Sequence, residues 1–367
     1  AHAGDKLTAY VRLVEKGPDR LARCETWVER EGGVRVAEGE AEVTAPDFQQ
    51  SFDASEVPGL ILQQHVHFDR VLAAAEPLPP IPTSVVAPEE ENALGGAVLA
   101  ASHSIIEPIL IGCKKNISAA AAAIGADISP YELIDIPSHD GASAKGVTLV
   151  QEGRARALMK GHLHTDQLLR HVMKRDGGLR TTRRLSHVFV MDVPGLTNLL
   201  FVSDAAINIA PDLETKVDIT QNAIDLARAL GIETPKVGVL SAVETVNSKI
   251  PSTLDAAVIS KMADRGQIRG GIVDGPLAMD NAVDLDAAKT KGIRSLVAGR
   301  ADILIVPNLE AGNILAKQLT YVAHAEAGGI VIGARCPVIL TSRADDDRAR
   351  LASCAVAALY DAWVRET

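Results

Sequence analysis

The chain has 367 residues, with 37 Lys+Arg against 47 Asp+Glu and a net charge of −10. That acidity excludes a bulk nucleic-acid binder, because phosphate backbone repels such a chain unless a strong local basic patch overrides it. With 47% apolar and 23% charged residues, it has the composition of a globular protein, and roughly 150 residues per domain implies two or three domains.

The first residues, Ala1-His2-Ala3-Gly4-Asp5, carry no initiator Met and no charged-then-apolar leader, so they read as the middle of a longer text. Three alternating strands are predicted at 7–14, 21–29 and 34–44, separated by turns at Gly17-Pro18-Asp19 and Glu31-Gly32-Gly33. Three antiparallel strands cannot close a core alone, and one face needs cover from upstream or from a partner. A linker follows, with a short amphipathic helix over 60–75 and a proline-rich run at 77–82.

From residue 83 the pattern becomes β/α alternation. Strands are predicted at 84–86, 108–111, 132–136, 157–159, 187–191, 199–202, 237–240, 271–273, 303–306, 329–332 and 338–340. Helices are predicted at 92–104, 118–125, 145–152, 165–174, 213–230, 252–264 and 311–325, with a last one opening after the run Thr341-Ser342-Arg343-Ala344-Asp345-Asp346-Asp347. Such alternation implies an α/β protein with a largely parallel sheet. Apolar runs such as 303–306 are far shorter than the ~20 residues a bilayer requires. The four cysteines, Cys24, Cys113, Cys336 and Cys354, are scattered without a C-x-x-C pair, which fits a reducing cytoplasm.

No phosphate-binding loop of the Walker type is present, and the glycines at 328–333 flank a strand without opening a helix. The pairs His65/His67 and His162/His164 lack Cys, Asp or Glu at ligand spacing and read as structural, so no metal site is assigned. The segment 170–184 holds Arg170, Lys174, Arg175, Arg180, Arg183 and Arg184 against Asp176 alone. It is either a solvated face or a site for a polyanionic small molecule, since arginine forks match phosphate oxygens. Asp274-Gly275-Pro276-Leu277 and Pro307-Asn308-Leu309-Glu310-Ala311-Gly312-Asn313 each follow or end a strand, where open α/β sheets bind ligands. Ser342 and the acids after it suit a helix cap, whereas the neighbouring Arg343 adds nothing to a cap and suggests chemistry.

Taken in order, Ala157-Leu158-Met159-Lys160-Gly161, Phe201-Val202-Ser203-Asp204-Ala205-Ala206-Ile207-Asn208, Asp274-Gly275-Pro276-Leu277, Ala298-Gly299-Arg300-Ala301-Asp302-Ile303, the 307–313 run and Thr341-Ser342-Arg343 resemble the phosphate acetyltransferase/phosphate butyryltransferase family over about 280 residues. Local wording at 240–244 and 272–278 looks closer to the butyryl branch. The resemblance implies a two-lobed α/β fold like that of isocitrate and isopropylmalate dehydrogenases, with a cleft between the lobes and the antiparallel strands as an N-terminal addition. The first lobe would be 83–187 with 328–367, and the second 188–327, after a strand stub at 1–46 and a linker at 47–82. The implied reaction is acyl-CoA plus phosphate to acyl phosphate plus CoA, by direct transfer without metal or redox cofactor, in an enzyme that is a homodimer or higher oligomer.

On this resemblance Ser342 donates to the reacting centre and Arg343 stabilises developing charge. Arg170 is a substrate-binding arginine, and Asp274, Asn308 and Asn313 line the cleft. The family's basic Asp, seven positions after the Ser, falls on Ala349 here. Either one of Asp345, Asp346 and Asp347 takes that role, with Asp347 the assignment carried forward, or this branch dispenses with it. A second phosphate-binding arginine has no match near 138–145, and Lys145 is the nearest cation. Residues 5–46 resemble the last strands of a hot-dog-fold dehydratase of the enoyl-CoA hydratase type, whose catalytic Asp/His motif is not in this chain. Two other readings remain: a CoA-binding module of a bifunctional enoyl-CoA hydratase fusion, and a metal- and NAD-dependent decarboxylating dehydrogenase on the same fold. The latter needs an Asp cluster for Mg²⁺ and a nicotinamide site, and neither can be placed.

Overall fold

Alternation of side chains across a pleated strand sorts the first described segment into two unlike faces. The computed structural model describes residues 7–30, 32–44, 66–340 and 347–366. They fall into two compact units, Ala1–Ile61 and Leu62–Thr367. In the first, β1 (Leu7–Lys16), β2 (Leu21–Arg30) and β3 (Val34–Thr44) form an antiparallel sheet in that order, as the alternation predicts. One face is polar and aromatic. Tyr10 stacks on Trp27 with ring centroids 5.2 Å apart, Arg35 lies 4.9 Å over the same ring, and Arg12 pairs with Glu25. The other carries Val11, Leu13, Cys24, Val28 and Ala41, and Val11 is 70% exposed.

The second unit opens with α1 (Val66–Ala75), whose first backbone amides are held by a strand. His67 N and Phe68 N donate to Asp192 Oδ2 at 2.7 and 3.1 Å. The chain then alternates through β4 (Ile81–Val86), α2 (Glu91–Ser102), β5 (Ile106–Gly112), α3 (Lys114–Ile124), β6 (Glu132–Asp135), α4 (His139–Gln151), β7 (Ala157–Lys160) and α5 (Thr165–Val172). Next come β8 (Ser186–Asp192), β9 (Leu200–Ser203), α6 (Leu213–Ala229), β10 (Lys236–Leu240), α7 (Pro251–Asp264), β11 (Ile272–Leu277), α8 (Met279–Val283) and α9 (Leu285–Thr290). The unit ends with β12 (Ile303–Ile305), α10 (Leu309–Tyr321), β13 (Glu326–Ile332), β14 (Val338–Ile339) and α11 (Asp347–Glu366).

Every strand expected after residue 83 is present, and all lie in one eleven-stranded sheet of order β11-β10-β12-β9-β8-β13-β14-β7-β4-β5-β6. β11, β10, β12 and β9 are parallel to one another, as are β14, β7, β4, β5 and β6. The centre differs from the largely parallel expectation, because β9–β8, β8–β13 and β13–β14 are all antiparallel. These reversals make the two parallel blocks run in opposite directions. The carboxyl ends of one block therefore share an edge of the sheet with the amino ends of the other.

Other departures have local causes. α8 and α9 were not foreseen, since each is too short to show helical periodicity. α4 starts at His139, well before the expected 145, because Ser138 caps it by accepting from Gly141 N at 3.2 Å. Its glycines obscure the pattern but are needed. A Cβ on Gly146 would lie 2.7 Å from Val86 Cγ2, so the glycine lets the helix sit directly on the sheet. α11 buries Ala352, Cys354, Ala355, Val356 and Ala357 completely, and its hydrophobic contacts join it to α1, α2 and β13. Among the described residues no helix is long and apolar enough to cross a membrane.

Candidate active site

Open α/β sheets bind ligands outside the carboxyl ends of their parallel strands. On the β14-β7-β4-β5-β6 block that edge begins where β4 and β7 end side by side, at Val86 and Lys160. The two chains then stay in backbone contact: Gly161 N donates to Val86 O at 2.8 Å and His162 N to Ala87 O at 2.6 Å. This approach requires glycine, because a Cβ on Gly161 would stand 2.3 Å from Ala87 O.

The tight crossing sets two acid–imidazole couples on the edge. Glu89, its side chain only 8% exposed, accepts from Cys113 N and from Asn116 Nδ2, each at 2.8 Å, and faces His139 Nε2 at 3.7 Å. Glu90 Oε2 lies 3.8 Å from His162 Nδ1, with both side chains partly open to solvent. A pocket of about 330 Å³ adjoins them, lined by Glu89, Glu90, Glu91 and Asn116. At the end of β7, buried Lys160 donates through Nζ to Gly161 O at 3.2 Å and Leu163 O at 3.4 Å.

Of the residues singled out from sequence, Ser342 and Arg343 lie outside the described residues. They follow β14, which is parallel to β7 with Ile339 beside Met159. Asp347 opens α11 and is exposed. Arg170 is exposed on α5 and lies 3.6 Å from Asp166, while Lys145 is half-buried on α4. α4 and α5 are joined by a pair that the sequence did not suggest. His171, buried, meets Asp140 at 2.7 Å, and that hydrogen bond chiefly holds the Asp140 carboxyl below its ordinary range. In the basic segment, Arg183 is tied to Asp225, whereas Lys174, Arg175, Arg180 and Arg184 are exposed and make no side-chain ion pair with a described residue.

Asp274, Asn308 and Asn313 belong to the other block and so to the opposite edge from the carboxyl end of β7. Asn308 caps α10 by accepting from Ala311 N at 2.9 Å, and Asn313 Nδ2 donates to Ala205 O at 3.3 Å. Asp274 Oδ1 accepts from its neighbour Gly275 N at 2.8 Å. Nearby, buried Asp204 accepts from Ala206 N, Ile207 N, Asn208 N and Asn208 Nδ2, and organises the loop after β9. Burial pushes its carboxyl above the ordinary range despite those four bonds. The structure thus groups Asn308 and Asn313 with the Asp204 loop, and places Arg170 on the far edge.

Two further pockets, of about 300 and 290 Å³, meet at Asn198 and Leu199; the first is lined by His67 and the second by Gly299, Arg300, Ala301 and Asp302 of the 298–303 motif, but neither by an assigned catalytic or substrate-binding residue. No three His, Cys, Asp or Glu side chains among the described residues are placed to hold a metal ion. The cysteines are free thiols, and burial pushes Cys336 and Cys354 up to about 12, which leaves neither as a nucleophile at neutral pH. The carboxyl edge of β7 therefore carries two acid–imidazole couples, with exposed Arg170 on the adjoining α5, whereas Arg180, Arg183 and Arg184 lie at the entry of β8, on the edge of the Asp204 loop.

This mixed sheet with opposed parallel blocks is the architecture of the phosphotransacylases. The branched-chain phosphotransacylase from Enterococcus faecalis superposes with a TM-score of 0.66 at 29% identity, over 77% of this chain and 99% of that one. Residues 137–358 match the family model described as "Phosphate acetyl/butaryl transferase", and the chain belongs to that family. It is 58% identical to the phosphate acetyltransferase of Rhizobium meliloti over 80% of this chain and 93% of that protein. It is 43% identical to the phosphate butyryltransferase of Clostridium beijerinckii, over 81% and 98% respectively. Over these matched lengths the acetyltransferase is the more similar of the two, contrary to the lean of the local wording at 240–244 and 272–278.

Proposed function

We propose that the chain interconverts acetyl-CoA plus phosphate with acetyl phosphate plus CoA, by direct transfer while both substrates are bound. The carrying observation is the 58% identity to a phosphate acetyltransferase across nearly all of that protein's length. In the direction of thioester synthesis, the CoA thiol gives up its proton and sulfur attacks the acyl carbonyl. The C–S bond forms, the C–O bond to phosphorus breaks, and phosphate leaves with the electron pair. Charge grows on the carbonyl oxygen, so donors fixed in advance lower the barrier, and holding both substrates in place adds to this.

Ser342 supplies such a donor and Arg343 offsets the phosphate charge, on the strength of the motif they share with the family. Arg170 and Lys145 add positive charge on the β7 side, and the exposed cations of 170–184 receive the phosphates of CoA. Asp274, Asn308 and Asn313 form the substrate-binding set of a second lobe in a two-lobed enzyme of the isocitrate dehydrogenase type, with Asp347 a further carboxylate at the reacting centre. The reading includes a homodimer in a reducing cytoplasm. For residues 5–46 it keeps the hot-dog resemblance, with which the antiparallel order β1-β2-β3 within them is consistent.

The test is phosphate-dependent release of CoA thiol from acetyl-, propionyl- and butyryl-CoA. Turnover highest with acetyl-CoA, and lost in Ser342→Ala and Arg343→Ala, is the expected result. Full turnover in both variants overturns the site, and no phosphate-dependent release from any thioester overturns the function.

A further inference from the structure

The CoA thiol must lose a proton to attack, and the position where the family resemblance puts a carboxylate base is Ala349, an alanine on α11. A thiol with a pKa of about 8.5 is mostly protonated at neutral pH, so a base near it raises the rate. The edge already described holds a base in the right state of exposure. His162 follows the end of β7, its backbone N is fixed to Ala87 O at 2.6 Å, and its side chain is 44% exposed. Its Nδ1 faces Glu90 Oε2 at 3.8 Å, an ion-pair separation that substrate binding can tighten to a hydrogen bond. Its Nε2 makes no hydrogen bond with a described residue, and its partner Glu90 lines a pocket of about 330 Å³. A carboxylate on one ring nitrogen and an open second nitrogen form the arrangement of an oriented general base.

We infer that His162 is the acid–base catalyst for the CoA thiol and that Glu90 is its positioning residue. The inference rests on the acyl-transfer reading above. In thioester synthesis the S–H proton passes to His162 Nε2, the sulfur lone pair attacks the acyl carbon, and phosphate departs. In the reverse direction phosphate oxygen attacks the thioester, the C–S bond breaks, and the imidazolium returns its proton to sulfur. Glu90 stabilises the imidazolium and fixes which nitrogen faces the substrate. The surrounding elements also carry Glu89 and Glu91 after β4, Cys113 and Lys114 after β5, Asp135 ending β6, His139 and Asp140 opening α4, Lys160 on β7, and His164, Asp166 and Arg170 before and on α5.

Wild type, His162→Gln, His162→Ala and Glu90→Gln are compared in both directions with acetyl phosphate and CoA, or acetyl-CoA and phosphate, across pH 5.5 to 9. Wild-type turnover itself tests the acyl-transfer reading, separately from the variants. His162→Gln is expected to lose about 100-fold or more in kcat while KM changes by only a few-fold. Its synthesis rate should also lose the wild-type acid limb and climb instead towards the thiol's own pKa of about 8.5. Added imidazole should restore His162→Ala at least tenfold, and Glu90→Gln should move the acid limb to lower pH by removing the charge that favours the imidazolium. Three results each overturn the assignment: kcat within threefold of wild type, an unchanged pH profile in His162→Gln, or no imidazole rescue of a His162→Ala that melts at the wild-type temperature.

Discussion

Asn208 donates its side-chain amide to Asp204 Oδ2 at 2.6 Å, and the same carboxylate collects three backbone amides from the turn between them. Asn208 also reaches Leu185 O at 2.8 Å, so one acid at the end of β9 ties its loop to the entry of β8. Removing the acceptor leaves several donors unpaired in a buried loop. Asp204→Ala should lose about 2–4 kcal/mol in urea unfolding, and Asp204→Asn, which keeps one acceptor oxygen, should lose less.

His187 is fully buried on β8, edge-on to Phe189, and desolvation pushes its imidazole down from 6.5 to about 4. The unfolded chain therefore takes up a proton near pH 6.5 that the folded chain refuses until about pH 4. Its contribution to stability is complete above pH 6.5 and falls as pH drops through that window, by roughly 3 kcal/mol in all. Chemical unfolding at a series of pH values should show this slope, and His187→Leu should flatten it.

Lys216 is buried on α6 and donates to Asp255 of α7 at 2.6 Å. Asp255→Ala leaves a buried ammonium without its partner and should destabilise by about 2–4 kcal/mol, since the acid is partly exposed. Replacing both at once, Lys216→Met with Asp255→Leu, should recover most of that loss in the same melting experiment.

Gly161 is the hinge of the β7 edge. Gly161→Ala forces a methyl onto Ala87 O and should cost at least about 1–3 kcal/mol, while displacing His162 and lowering kcat more than it raises KM. Thermal melts read with steady-state kinetics separate the two effects.

The exposed cations Arg175 and Arg180 give a prediction in ionic strength. If they hold the phosphates of CoA, KM for CoA should rise with salt in the wild type, and the Arg175→Ala/Arg180→Ala double variant should start several-fold higher with a shallower slope. A salt dependence identical to wild type would remove them from the site.

The sequence alone was enough to locate eleven strands, most helices and the family, because burial on both faces of a parallel strand writes a short continuous apolar run. It also marked the segment 170–184 as basic against an acidic chain; Arg175 and Arg180 are exposed, which suits both a solvated face and a ligand site. Strand direction was not legible: nothing in the text of β8, β9, β13 or β14 distinguishes an antiparallel partner from a parallel one. Only the tertiary structure decided that the two blocks oppose each other, and hence that Asn308 and Asn313 sit with Asp204 while Arg170 sits on the far edge. The same holds for His162. In sequence it is half of a His-x-His pair with no acid at ligand spacing, and it acquires Glu90 only because β4 and β7 end side by side and Gly161 lets their backbones touch. Hydrophobic periodicity is a local property and survives in the sequence. Pairing between distant strand ends is set by topology, and the chain must fold before those residues meet.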